Sequence, residues 1–251
     1  MSIIFRVLKL LGIRFIYKRF QEFYSSVFIF IYCRRNIIID DINYNLSELD
    51  CIGAKYGTDK ISPFATNLQL GWASHDYAWF YDLVLSGRRG MVKYILECGI
   101  GTRSGSLPSS MGPSGMPGAS LRMWRDYFPE AIVFGLDIDQ EILFTEDRIN
   151  TFFVNQTNTK SINKFIHTNS SVFFDLVIDD GLHTFEAGVS LFEGIWDRLS
   201  QNGLYFIEDV EQKYLRDYIK YFRSRKIAAT VARFSSYHSW VDNNCLIMIR
   251  K

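Results

Sequence analysis

The chain has 251 residues, of which 48% are apolar and 22% are charged. This composition is ordinary for a globular protein and excludes a disordered or collagen-like chain. The net charge of +1 excludes an overall basic surface, so we expect no nucleic-acid partner. Four cysteines without a Cys-x-x-Cys pair indicate neither a zinc cage nor a disulfide framework, which favours a reducing cytoplasm.

Residues 1–38 form a basic, apolar-rich segment that we call the N-terminal arm. It holds seven Lys or Arg residues and one Glu, so it carries +6 and the rest of the chain −5. Its longest uncharged run, residues 23–33, is about half of the roughly 20 residues that span a bilayer. If Gly12 interrupts the helix, residues 13–24 form a basic amphipathic helix. This helix could lie on the inner face of the cytoplasmic membrane, or pack on its own domain or on a second subunit of a homo-oligomer, and both interpretations stay open.

Residues 39–92 are expected to form a preliminary helical region that acts as a substrate lid. Its most informative sequences are YGTDK and SHDYAWFYDLVL. His75 and Tyr77 in the second sequence are candidate substrate contacts. The neighbouring aromatic residues Trp72, Trp79 and Tyr81 are expected to pack in the core.

Residues 93–251 predict an α/β domain with a doubly wound, mostly parallel sheet of seven strands. Buried apolar runs such as YILEC, IVFGLD and DLVID alternate with helical stretches, which is typical of a parallel sheet covered by helices. The last two runs are joined by too few residues for a crossover helix, so they predict a terminal antiparallel hairpin. The predicted strands are residues 94–98, 132–137, 152–154, 176–179, 204–208, 228–234 and 245–250. The predicted helices are residues 121–128, 161–167, 184–199 and 212–225.

A glycine turn, Glu97-Cys98-Gly99-Ile100-Gly101, ends the first of these strands. Glycines let the backbone approach a ligand closely, and open α/β sheets bind ligands at the carboxyl ends of their strands. Asp137 ends the next strand, where its carboxylate could accept hydrogen bonds from both hydroxyls of a ribose. Gln156 follows the third strand and could meet an adenine edge. These residues predict a nucleoside pocket without a phosphate-binding loop.

Acidic residues follow the fourth and fifth strands. Asp179, Asp180 and His183 lie beyond one strand, and Glu208 and Asp209 lie beyond the next. Adjacent parallel strands end at one edge of the sheet, where clustered carboxylates would raise each other's pKa unless a cation joined them. Hard oxygen ligands select magnesium, calcium or manganese, so the pattern predicts a divalent-metal site. The alternative is a pair of helix N-terminal acids stabilised by helix dipoles without metal.

At these motifs the chain resembles the class I S-adenosylmethionine-dependent methyltransferases, over about residues 56–251. The resemblance implies a Rossmann-like methyltransferase fold that binds S-adenosylmethionine. It places Glu97, Gly99 and Gly101 along the methionine part of this cofactor and Asp137 on its ribose.

A closer resemblance is carried by DDGLH followed by IED, together with YGTDK and GASLRMWRDYFPEAIVFGLDID. These sequences are similar to the metal-dependent sugar O-methyltransferases of the macrocin and mycinamicin type. The resemblance implies Asp180, Glu208 and Asp209 as ligands of a divalent cation, with magnesium expected. It also implies His183 as the general base and places Asp179 near the cofactor.

The expected activity is a metal-assisted O-methylation of a sugar hydroxyl in a surface glycan or a glycosylated natural product. A chelating metal lowers the pKa of the hydroxyl, and His183 accepts its proton beside Asp180. Two alternatives stay open. The acceptor could be a phosphoramidate, a phosphate or a catechol-like diol, or the chain could be a non-catalytic, cofactor-binding interaction module. Cofactor turnover in the presence of metal separates the module from the enzymes.

Overall fold

The computed structural model describes residues 46–65, 74–234 and 244–251 together with the backbone of residues 35–39. The predicted arm helix at residues 13–24 and Trp72 lie outside the described residues. The strands are β1 (Arg35–Ile39), β2 (Tyr94–Cys98), β3 (Ile132–Asp137), β4 (Thr145–Glu146), β5 (Ile149–Phe153), β6 (Phe174–Asp179), β7 (Leu199–Ile207), β8 (Ala229–Phe234) and β9 (Cys245–Arg250). The helices are α1 (Glu48–Tyr56), α2 (Tyr77–Leu85), α3 (Ala119–Tyr127), α4 (Thr159–Thr168), α5 (Phe185–Ile195) and α6 (Gln212–Ser224).

The strands form one mixed sheet in the order β1-β8-β9-β7-β6-β2-β3-β5-β4. Strands β7, β6, β2, β3 and β5 are parallel neighbours, as predicted. Strand β9 lies between β7 and β8 and runs antiparallel to both, which confirms the terminal hairpin.

The predicted count of seven strands is too low, because the sheet of the described residues has nine. The two additional strands lie at the opposite edges. Strand β1 pairs in parallel with β8 and crosses the predicted boundary between the arm and the following region. Strand β4 has only two residues and pairs antiparallel with β5, so it carries no apolar repeat that a sequence pattern could show. Strand β5 also begins three residues before the predicted 152–154.

Helices cover both faces of the sheet and bury two apolar clusters, which makes the sheet doubly wound. Neighbouring strand residues point to opposite faces, so Ile95 joins one cluster and Leu96 joins the other. Helices α1, α2 and α3 pack in the first cluster, and α4, α5 and α6 pack in the second. Helices α1 and α2 therefore form part of the layer that covers the face of the first cluster, and the lid function of residues 39–92 stays a prediction. No helix of the described residues is both long and apolar enough to cross a membrane.

The register of the sheet brings the ends of β2, β6 and β7 to one level. Cys98 is paired with Asp179, and Asp179 with Ile207. The pattern continues one residue beyond the strands, because the Asp180 N–H donates to the Cys98 carbonyl at 2.8 Å and the Glu208 N–H donates to the Asp179 carbonyl at 2.9 Å. The residues that follow these strands thus meet at one edge of the sheet.

Candidate active site

A cavity lies at the carboxyl ends of β2, β3 and β6. It is lined by members of both groups of residues that the sequence singles out, the nucleoside group and the acidic group. The predicted site residues that line it are Gly99, Gly101, Asp137, Gln156, Asp180, His183 and Asp209. The turn after β2 and the acids after β6 and β7 therefore face one shared space.

The glycine turn has a backbone that side chains would obstruct. Gly99 and Gly101 have φ angles of +86° and +92°, in the region that favours glycine. A Cβ atom on Gly99 would lie 2.0 Å from the Asp180 carbonyl oxygen, and one on Gly101 would lie 2.1 Å from the Met111 sulfur. These two positions require glycine, both for conformation and for the close approach of the loops around the cavity.

Asp137 joins the glycine turn to the end of β3. Its Oδ2 accepts the Ile100 N–H and its Oδ1 accepts the Asp139 N–H, each at 2.9 Å. Burial raises the pKa of Asp137, although the backbone donors oppose this shift. Each carboxylate oxygen has a second lone pair, so Asp137 can still accept hydrogen bonds from a ligand in the cavity.

Gln156 lines the cavity, but its amide is engaged within the protein. Its Nε2 donates to Asp179 Oδ1 at 2.5 Å, and its Oε1 accepts the Leu182 N–H at 2.9 Å. These bonds fix the loop that follows β6. Burial raises the pKa of Asp179 to about 7, and Asp179 Oδ2 is buried without a hydrogen-bond partner. The predicted adenine contact of Gln156 would compete with two existing hydrogen bonds.

A buried lysine that the sequence analysis missed lies among the acids. Lys60 Nζ is 2.6 Å from Asp180 Oδ2, 2.5 Å from Glu208 Oε2 and 3.4 Å from Glu97 Oε1, and its side chain is 2% exposed. Burial disfavours the charge on Lys60, but the carboxylates of Asp180 and Glu208 outweigh it and hold the lysine pKa well above its usual value. Tyr81 donates a hydrogen bond to Glu208 Oε1. Both oxygens of Glu208 are therefore engaged.

Glu97 lies in β2, just before Gly99 and Gly101, and its side chain contacts α3. Its side chain is fully buried, Trp124 Nε1 donates to its Oε2 at 2.7 Å, and Lys60 approaches its other oxygen. Burial raises the pKa of Glu97 to about 7. The structure thus places Glu97 within β2, against Lys60 and α3. Its place along the methionine part of the cofactor, which the family resemblance implies, stays a prediction.

Asp180, His183 and Asp209 form the cluster that faces the cavity. Oxygen and nitrogen atoms from these three side chains all lie within 4.8 Å of one another. His183 Nε2 is 3.2 Å from Asp180 Oδ1, and His183 Nδ1 is 3.9 Å from Asp209 Oδ2. His183 and Asp209 have φ angles of +58° and +52°. This left-handed conformation is uncommon for residues other than glycine and occurs often at functional sites.

The charges in this cluster shift its protonation. Burial opposes protonation of His183, but its hydrogen bond to Asp180 and the nearby Asp209 raise its pKa to about 9. Burial also opposes ionisation of Asp180, but Lys60 and His183 hold the Asp180 pKa below its usual value. Without a bound cation, His183 is therefore protonated at neutral pH and Asp180 is ionised.

His75 and Tyr77 reach the site through Asp209. Tyr77 donates to Asp209 Oδ1 at 2.8 Å, and His75 Nδ1 lies 3.3 Å from the same oxygen. The two rings are stacked with centroids 5.1 Å apart, and Tyr77 is fully buried. In this structure both residues position Asp209 and leave its Oδ2 to face His183. Their predicted contact with substrate stays a prediction.

The donor atoms of this cluster suit a hard divalent cation. Asp180 and Asp209 present carboxylate oxygens to the cavity, which are ligands that magnesium and manganese prefer. Glu208, the third ligand that the sequence resemblance implies, is bound by Lys60 and Tyr81.

Comparison with solved structures identifies the fold. Over 82% of its length the chain superposes on 55% of the MycE methyltransferase from the mycinamycin biosynthetic pathway, solved in complex with Mg and SAH, with a TM-score of 0.58 and 22% identity. The chain has the fold of the class I S-adenosylmethionine-dependent methyltransferases. The predicted Rossmann-like methyltransferase fold is thereby confirmed, whereas the predicted count of seven strands is not. No protein-family model matches the chain.

The chain is also similar in sequence to curated sugar O-methyltransferases. The chain is 29% identical, over 65% of its length, to the 8-demethyl-8-alpha-L-rhamnosyl tetracenomycin-C 2'-O-methyltransferase of Streptomyces olivaceus. It is 29% identical, over 73% of its length, to the L-olivosyl-oleandolide 3-O-methyltransferase of Streptomyces antibioticus. The Mycinamicin VI 2''-O-methyltransferase of Micromonospora griseorubida is 32% identical over 54% of the chain. The predicted resemblance to sugar O-methyltransferases is thus confirmed, although the chain spans only 38%, 42% and 32% of these relatives' lengths.

Proposed function

We propose that this chain is an S-adenosylmethionine-dependent O-methyltransferase that acts on a sugar hydroxyl with the help of a divalent cation, expected to be magnesium. The observation that carries the proposal is the shared cavity. Asp137 and the glycine turn line it together with Asp180, His183 and Asp209. A methyl donor and a chelated hydroxyl could therefore meet in one space.

The relatives support the sugar acceptor and the cofactor. Two of them are named for methyl transfer to a rhamnosyl or an olivosyl compound, and the MycE structures contain Mg and SAH. One MycE structure also contains Mycinamycin VI.

Each group in the cavity has a proposed part in the reaction. Gly99 and Gly101 leave room for the methionine part of the cofactor, and Asp137 accepts hydrogen bonds from its ribose hydroxyls. Asp180 and Asp209 would hold the cation with carboxylate oxygens that face the cavity. A bound cation lowers the pKa of a hydroxyl that it chelates and reduces the barrier to its attack on the methyl group.

His183 is the proposed general base, and Asp180 orients its ring. Their 3.2 Å separation is within hydrogen-bond distance, so Asp180 can fix which nitrogen of His183 faces the hydroxyl. Only the neutral ring accepts a proton. Because Asp180 and Asp209 raise the His183 pKa to about 9, a positive charge bound nearby would favour the neutral form at physiological pH.

The methylated sugar could belong to either of two kinds of acceptor molecule. A glycosylated natural product is supported by the names of the relatives. A lipid-linked surface glycan, as in polysaccharide biosynthesis, is supported by the +6 charge of residues 1–38, which would attract anionic lipid on the inner face of the cytoplasmic membrane. The alternative for the arm, packing on a second subunit, would instead make the protein a homo-oligomer.

Metal-dependent turnover tests the proposal. Chelator-treated protein should bind S-adenosylmethionine but release no S-adenosylhomocysteine from a rhamnosylated acceptor until Mg²⁺ is restored. Asp180→Asn should lower kcat at least about a hundredfold, because it removes a charged ligand and the partner of His183. Asp175→Asn is the matched control, since Asp175 lies at the opposite end of β6 and binds the Lys93 backbone N–H at 2.8 Å. Full turnover without metal would refute the proposed role of the acids, and cofactor binding without turnover on any acceptor would favour the interaction module.

A further inference from the structure

Asp59, in the sequence YGTDK, is a carboxylate that lines the cavity but has no part in the reaction proposed above. It lies in the loop that follows α1, and its neighbours Thr58 and Lys60 line the cavity as well. Placing a carboxylate in such a cavity costs free energy unless a partner binds it. The surroundings of Asp59 therefore indicate what kind of partner it has.

No residue that the structure describes donates a hydrogen bond to the Asp59 carboxylate. Burial is the main cause that raises its pKa, and the charges of His75 and Lys60 oppose this shift. Other acids of the cavity differ, because Asp137 accepts two backbone N–H groups and Asp209 accepts a tyrosine hydroxyl. Polar groups inside proteins are usually hydrogen-bonded, so a ligand with a hydrogen-bond donor would complete Asp59.

The backbone holds Asp59 in place without help from its side chain. The Asp59 carbonyl oxygen accepts the His75 N–H at 3.0 Å, and the Lys60 carbonyl oxygen accepts the Ala78 N–H at 2.8 Å. On the other side, Gly57 ends α1 in a left-handed conformation with φ of +74°. A ligand that binds the carboxylate therefore meets a fixed loop and displaces no existing hydrogen bond, which favours binding.

Asp59 lies near the acids that we assign to the cation. The charges of Asp180 and Asp209 act on its carboxylate. Asp59 is not a member of the group Asp180, His183 and Asp209, whose donor atoms lie within 4.8 Å of one another. A sugar that is chelated by the cation through neighbouring hydroxyls would turn a further ring hydroxyl toward the wall of the cavity, and Asp59 belongs to this wall.

We propose that Asp59 binds the acceptor sugar through a ring hydroxyl that is not methylated and thereby determines which sugars the cavity takes. This inference rests on the sugar acceptor proposed above. A carboxylate is a strong acceptor for a hydroxyl group. A site built to bind a hydroxyl discriminates against an analogue that lacks it, because the polar group of the protein is then left unpaired. Asp59 therefore selects sugars that carry a hydroxyl at this position.

Binding of methyl α-L-rhamnoside tests this role without turnover. The probe carries the sugar for which one relative is named, and its Kd is measured by NMR titration of the full chain saturated with S-adenosylhomocysteine and Mg²⁺. Asp59→Ala should raise this Kd at least about tenfold, because a hydrogen bond to a charged group is lost. Asp59→Asn should raise it less, since the amide keeps an acceptor oxygen. The control Asp147→Ala, whose side chain is 89% exposed, should leave it unchanged.

Monodeoxy analogues of the rhamnoside distinguish a direct contact from a structural effect. One analogue should bind the wild type and Asp59→Ala equally well, because it lacks the hydroxyl that Asp59 binds. If Asp59→Ala weakens the binding of every analogue by the same factor, the carboxylate makes no such contact and the inference is overturned. Asp59→Ala should not lower the free energy of unfolding in urea, because the carboxylate has no hydrogen bond to lose. If this variant nevertheless fails to fold, Asp59→Asn decides by the same comparison.

Titrations with S-adenosylhomocysteine alone and with Mn²⁺ alone exclude other partners of Asp59. If Asp59→Ala loses as much affinity for either of them as for the rhamnoside, the carboxylate holds the cofactor's ammonium group or the cation, and the inference is overturned. Failure of this inference is also distinguishable from failure of the proposed function. Equal rhamnoside binding by the wild type and Asp59→Ala overturns only the role of Asp59, whereas absence of rhamnoside binding by the wild type overturns the sugar acceptor as well.

Discussion

Replacing Asp137 with Asn should weaken both the fold and cofactor binding. Both carboxylate oxygens accept backbone N–H groups, from Ile100 and Asp139, at 2.9 Å. An amide has one acceptor oxygen, so one backbone donor would face an NH₂ group and lose its partner. A lost hydrogen bond to a buried charged group costs about 1.5–3 kcal/mol, which is the expected loss in the free energy of unfolding.

The loss in cofactor affinity is a separate quantity. If Asp137 also accepts the ribose hydroxyls, at least one charge-assisted hydrogen bond of about 1.5–3 kcal/mol disappears from the complex, which corresponds to a Kd about ten to a hundred times higher. Titration calorimetry with S-adenosylhomocysteine measures this change, and urea unfolding measures the stability.

Asp139→Asn is the matched control for Asp137→Asn. The Asp139 carboxylate accepts the Glu141 N–H at 3.0 Å and the Thr102 hydroxyl at 2.5 Å, so it has a comparable structural role in the neighbouring loop. We expect this variant to lose stability but to keep its affinity within about threefold. A folded Asp137→Asn protein with wild-type affinity for S-adenosylhomocysteine would refute the assignment of the ribose to Asp137.

Three further perturbations test other parts of the structure. Gly99→Ala should lower the free energy of unfolding in urea by about 2–4 kcal/mol, because its Cβ would lie 2.0 Å from the Asp180 carbonyl oxygen. The control Gly105→Ala, whose Cβ meets nothing within 4 Å, should change this free energy by less than about 0.5 kcal/mol. Equal effects of the two substitutions would contradict the packing argument. In metal-free protein the NMR titration of His183 should give a pKa of about 9, so the stability it contributes is complete below about pH 6.5 and is lost as the pH rises through 9. A midpoint at or below the ordinary histidine pKa of about 6.5 would contradict the ion pairs of the site. Deleting residues 1–34, which keeps β1, should abolish sedimentation with anionic vesicles but preserve turnover on a soluble acceptor. If the truncated protein instead changes its oligomeric state and the intact chain does not bind vesicles, the arm is a packing element.

The central strands could be predicted because buried strands have a recognisable sequence pattern. Strands β2, β3 and β6 are covered on both faces, so they are continuous apolar runs. The edge strands β1 and β4 lack a pattern that predicts their pairing. Strand β4 has two residues, and β1 is separated from its partner β8 by nearly the whole chain, so neither pairing follows from local pattern. The start of β5 was misplaced because Asn150 and Thr151 interrupt its apolar run.

Sheet topology predicts which residues meet at the candidate site. The residues after β2, β3, β6 and β7 meet because adjacent parallel strands end together. Topology does not say which way a side chain turns. Glu97 and Gln156 occupy the expected positions, but Glu97 binds Trp124 and Gln156 binds Asp179.

Lys60 was missed for a related reason. It lies in a loop 120 residues before Asp180 and 148 before Glu208, and a lysine in a loop ordinarily faces solvent. The only signal was its place at the end of YGTDK, one of the sequences that carry the family resemblance.

The most direct test of the central claim follows the methyl group itself. The full chain is incubated with Mg²⁺, a rhamnosylated or olivosylated acceptor and S-adenosylmethionine carrying a deuterated methyl group, and the product is examined by mass spectrometry and NMR. We expect the deuterated methyl group on a sugar oxygen, and its transfer should stop when the metal is chelated. A protein that binds the cofactor but leaves every sugar oxygen unlabelled, or one that transfers the label equally well without metal, would contradict the proposed function.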